Sequence, residues 1–356
     1  MIATPPVNAT RYAMLIESAL AASPPEFVAQ AESADAIQVE RGIIFPAALL
    51  MRTPASVALQ FINRLMQPGL RDPSSYAIVD QLGHRRPAYR GLLIYTALQA
   101  LRLTDGNEAD LNDRARFVKL PGGMGKCTRL PVFLARRHGQ RSTVAHATQH
   151  QPTTAQSHFA TGLHPWAEMM AQELAHFVWP TNVSTPLPAA RGAAIAGAAW
   201  NALALYVASN VYTEARWRDL AAASFNQFAH RQLRTGPFLA AGPADNPETR
   251  WYHELVLLHA AASYAIQSGD AALTAAVARN AEFHLAQTQP DHATNQPWGL
   301  PAFMLNPSTH PLADQLLHSA TALAGAGGAT ASGVTSILLG DALYCLRLLT
   351  TTPPTK

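Results

Sequence analysis

The chain has 356 residues, 48% of them hydrophobic and only 14% charged, with a formal net charge of +3. That balance supplies a sizeable core and excludes the strongly basic face through which nucleic acid is held. Two cysteines, Cys127 and Cys345, lie far apart in the sequence, and so small a number argues against a disulfide scaffold or a cysteine metal centre.

The first predicted helix spans 10–22 and ends at Pro24-Pro25. Residues 46–67 are apolar and helix-like, interrupted near Pro54, and Pro87 opens a further helix running through Leu92, Leu93 and Tyr95 to Leu103. Proline suits that first position because its fixed φ is helical and its missing N–H would have no partner there. Residues 104–163 are polar, rich in Thr, Gln, His and Arg, and lack apolar periodicity. They read as an irregular insertion or lid within a single helical domain covering 1–356.

From 165 onward two helix types alternate. The segments 165–178, 213–230, 270–287 and 311–323 are one-sided, while 189–208, 248–267 and 333–349 are apolar nearly all round; 298–305 is a short apolar helix. A helix apolar on every face is buried and a one-sided helix lies on the surface. The alternation therefore predicts helical hairpins, each with an inner and an outer member, and the segments around Tyr206–Phe228 and Tyr264–Phe283 repeat that plan about sixty residues apart. Inner-to-outer connections (209–212, 268–269, 306–310) are short, and outer-to-inner connections (179–188, 231–247, 288–297, 324–332) are long. A ring of hairpins places all long loops on one face, where function usually sits and where the inner helices present their N-termini.

Two groups of chemically able residues fall on that face. The first is Arg250-Trp251-Tyr252-His253-Glu254, at the start of 248–267. A carboxylate heading an apolar helix is desolvated, which raises its pKa and suits Glu254 to general acid work, with His253 as a base. The second is Asp291-His292 followed by Trp298. Paired carboxylates, Glu254 and Asp291, fit glycoside hydrolysis; His253, His292, Tyr252 and Arg250 fit proton abstraction beside a uronate. Trp251 and Trp298 offer flat walls with a polar tip. The structural alternative is a solvated first helical turn and a Trp anchoring the next helix. Asp341, alone in an apolar helix, reads as a structural acid tied to a backbone group or to Arg347.

Metal and cofactor signals are weak. His146 and His150 have helical ligand spacing but no third ligand, His310 and His318 likewise, and 121–128 lacks the spacing of a phosphate loop. The expectation is no metal and no cofactor. No basic n-region followed by an apolar stretch opens the chain, and no segment reaches the roughly 18 uninterrupted apolar residues of a membrane span. The default expectations are a cytoplasmic chain, no membrane partner and no nucleic acid.

The helical alternation over 165–349 resembles the α/α-toroid superfold, with its six-hairpin-like rings. The resemblance implies a closed or incomplete toroid with a site at its mouth, and it carries no family motif onto particular residues. It leaves three readings. The first is a carbohydrate-active enzyme, hydrolase or lyase, taking an oligosaccharide or other small molecule. The second is a non-catalytic helical repeat protein binding a protein partner. The third, an isoprenoid-handling toroid, lacks the acidic cluster that such chemistry needs.

Overall fold

A computed structural model describes residues 8–22, 187–288, 290, 294, 296–325 and 333–351, together with scattered helical positions at 91–99 and 167–176. The expected helix 46–67, the insertion 104–163, the segment 121–128 with Cys127, and the pair His146 and His150 lie outside the described residues, as do Asp291 and His292.

The described part is predominantly helical. In chain order it comprises α1 (Ala9–Ala22), α2 (Gly192–Val211), α3 (Ala215–Arg231), α4 (Pro247–Ser268), α5 (Ala271–Gln287), α6 (Leu300–Leu305), α7 (His310–Gly325) and α8 (Gly333–Thr351). Local chemistry sets the ends. Asn246 caps α4 by accepting from the N–H groups of Glu248 and Thr249, with Pro247 in the first turn, and Gly269 closes the helix at φ 74°. Asp270 then caps α5 by accepting from the Leu273 N–H at 2.9 Å. Short polar side chains satisfy donors that no helix can satisfy internally.

The two helix types differ in burial as the alternation requires. Every residue from Ile195 to Leu205 of α2 is buried, and so is every residue from Glu254 to Ala265 of α4. By contrast α3 buries only Trp217, Ala221, Ser224, Phe225 and Phe228, a stripe at helical spacing. The buried helix α2 packs against both α3 and α4; α4 in turn packs against α5, α6 and α8. The first helix closes onto the last two, α7 and α8, with Arg11 paired to Asp314 at 3.0 Å. The stretch Ala189–Val211 is long and apolar enough to cross a membrane by length and composition, and most of its apolar window is buried inside the fold.

The centre is aromatic. Trp200 is fully buried, donates its indole N–H to the Val256 carbonyl at 3.2 Å, and lies edge-on to Tyr95 and Trp298. Phe225 of α3 stacks on Tyr264 of α4 with centroids 4.1 Å apart. Close approach to α2 depends on a residue without a side chain: a Cβ built on Gly91 would stand 2.4 Å from the Trp200 carbonyl carbon and 2.5 Å from the Asn201 nitrogen. Backbone cannot turn aside as a side chain can. Gly91→Ala is expected to destabilise the fold by roughly 2–3 kcal/mol, measured by urea unfolding; an unchanged midpoint would show that this helix does not pack on α2 as described.

One feature has no signal in the sequence. Leu187–Pro188 (β1) and Leu239–Ala240 (β2) form a two-residue parallel pair, Leu187 opposite Leu239 and Pro188 opposite Ala240. Both strands come from long connections, so these two loops meet at the N-terminal ends of α2 and α4.

Candidate functional site

The first candidate group lies on the first turns of α4. Arg250, Trp251, Tyr252 and His253 are half-buried there, while Glu248 and Thr249 are exposed. Tyr252 meets the ring of His253 edge-on at 5.5 Å and that of Trp298 at 6.5 Å. The 250–254 segment and the 296–299 turn therefore lie side by side.

The neighbours His253 and Glu254 point in different directions. His253 packs against the start of α2, where a Cβ on Gly192 would stand 2.7 Å from its Nδ1. Burial pushes the imidazole pKa down, and Nδ1 has no hydrogen-bond partner among the described residues. The Trp251 indole N–H is likewise without one.

Glu254 turns into the protein and has 0% exposure. Its Oε2 accepts from the Phe238 N–H at 3.2 Å and from Asn280 Nδ2 at 3.1 Å, and its Oε1 accepts from the Leu239 N–H at 2.5 Å. The carboxyl thus clasps the 232–246 loop at β2 and joins it to α5. Burial raises its pKa from 4.5 to about 7, against the smaller opposing effect of those donors and of Arg250 one turn earlier. Desolvation is the cause anticipated for an acid heading an apolar helix. The oxygens, however, face three protein donors rather than a cleft.

Trp298 also has 0% exposure, its indole N–H donating to Gln296 Oε1 at 2.8 Å and its ring set between Trp200, His259 and Tyr252. In this placement it is a core residue and offers no wall to a ligand. Of the sequence-derived candidates, Arg250, Trp251, Tyr252 and His253 are half-buried at the start of α4; Glu254 and Trp298 are interior.

A second polar cluster lies deeper, around Asp341 of α8. Its Oδ1 accepts from the Tyr95 hydroxyl, and its Oδ2 accepts from the Ser263 hydroxyl and from His259 Nε2, the last at 3.3 Å. Gln267 Nε2 donates to the Tyr95 oxygen at 3.1 Å, and Cys345 Sγ lies 3.6 Å from Ser263 Oγ. Burial, and then the Asp341 charge, push the Tyr95 hydroxyl and the Cys345 thiol well above their usual ranges, so both stay protonated. His259 Nδ1 accepts the Gly299 N–H at 3.2 Å, so the single ring proton sits on Nε2 and points at Asp341. The residue types evoke a hydrolytic triad, but the connectivity differs: serine and histidine both donate to the same carboxylate, so no base is aimed at the serine hydroxyl. Asp341 is a structural acid, tied to side chains of α4 and of the 91–99 helix.

A third buried group, His284 of α5, shares its Nδ1 with Thr288 Oγ1 at 2.8 Å, and burial lowers its pKa from 6.5 to about 3. His310 meets Asn8 and the ring of Tyr12, a docking contact for α1 rather than a ligand set. Among the described residues no group of three or more His, Cys, Asp or Glu side chains is arranged to hold a metal ion.

No family model, no curated protein and no solved structure matches this chain.

Proposed function

We propose that this chain is a non-catalytic helical binding protein whose recognition surface is the rim at the start of α4, and that the surface takes a protein partner. The observation that carries this reading is the engagement of Glu254. A hydrolase or lyase using that acid needs an oxygen a substrate can reach, and both oxygens of Glu254 are buried and bonded to the chain's own donors. What remains at the rim is Arg250, Trp251 and Tyr252, the residue types that dominate the energetics of protein interfaces. The alternation of buried and one-sided helices supports, as part of the same proposal, hairpins arranged in a toroid or an open arc that displays the long loops on one face.

A photo-crosslinking amino acid at the exposed Thr249 tests it. The expected result is a discrete protein adduct that Arg250→Ala/Trp251→Ala abolishes, with purified partner binding about tenfold or more weaker in the double variant. A melting-temperature shift with a neutral or uronate oligosaccharide, removed by the same variant, would favour the carbohydrate reading. Oligosaccharide turnover abolished by Glu254→Gln in a folded protein would establish an enzyme instead.

A further inference from the structure

We draw no further inference here: the strongest candidate, the buried pair Asn280 and His284 one turn apart on α5, whose Oδ1 and Nε2 meet no hydrogen-bond partner among the described residues, is closed to solvent beside Glu254 of the site already described, and nothing in the structure shows a ligand that could reach it.

Discussion

Replacing Asp341 with alanine is expected to destabilise the fold by roughly 3–5 kcal/mol, because three buried donors lose one shared acceptor and each unsatisfied donor costs about 1–3 kcal/mol, less than additively within one cluster. The carboxylate is the shared acceptor for Tyr95, Ser263 and His259, and all three are buried. Alanine leaves three donors facing a gap, each carrying its desolvation penalty. Asp341→Asn is expected to lose less, about 1–3 kcal/mol. Its carbonyl oxygen can still accept from Tyr95, and its amide can donate to Ser263, whose hydroxyl can reverse. His259 cannot adapt in the same way. Moving its proton off Nε2 would place it on Nδ1, against the Gly299 N–H. Urea unfolding of the three proteins tests the ordering. Equal stability of the alanine variant and wild type would mean that the cluster contributes nothing to the fold.

The second large effect is a dependence on pH. Glu254 titrates near 4.5 when unfolded and about 7 when folded, because burial penalises the anion. A raised folded pKa makes a contribution that is fully present below the unfolded value and is lost as pH rises through the folded one. His284 runs the opposite way: its pKa falls from 6.5 to about 3, so its contribution is present above 6.5 and is lost as pH falls. Between 4.5 and 6.5 the two slopes oppose one another, each about 1.4 kcal/mol per pH unit at full effect. Glu254→Gln removes one of them. Relative to wild type, the variant should gain about 2 kcal/mol of stability between pH 4.5 and pH 6.5. The difference between the two profiles isolates Glu254 from the other histidines. Parallel profiles would mean that Glu254 does not titrate with a raised pKa in the folded protein.

The helices were legible because burial writes a period into the sequence. A helix buried on all sides and one buried on a stripe read differently, and α2 through α5 lie within a few residues of their expected bounds. A cap is legible for the same local reason: Asp270 stands at the head of the one-sided segment in the sequence and accepts from the Leu273 N–H in the structure. The direction of individual side chains at a helix start was not. Arg250, Trp251, Tyr252, His253 and Glu254 are consecutive, and successive helical residues point about 100° apart. Which of them faces outward depends on the rotation of α4 against α2 and α5, which no local pattern encodes. Glu254 was conspicuous as a rim acid, yet it turns to Phe238, Leu239 and Asn280. The network at Asp341 was less legible still. The lone acid was visible, but Tyr95, Ser263 and His259 are unremarkable in their own segments and acquire a role only through tertiary contact.

The partners of Asp341 lie 246, 82 and 78 positions earlier in the chain. A ribosome making this protein exposes tyrosine, histidine and serine long before the acceptor that joins them. Until α8 arrives, the interior of the earlier helices holds polar hydrogens without their destination. A nascent chain stopped anywhere short of Asp341 should therefore resist protease poorly, even with all of α2 to α7 synthesised. Completion of α8 then acts as the step that commits the preceding ones to their final packing.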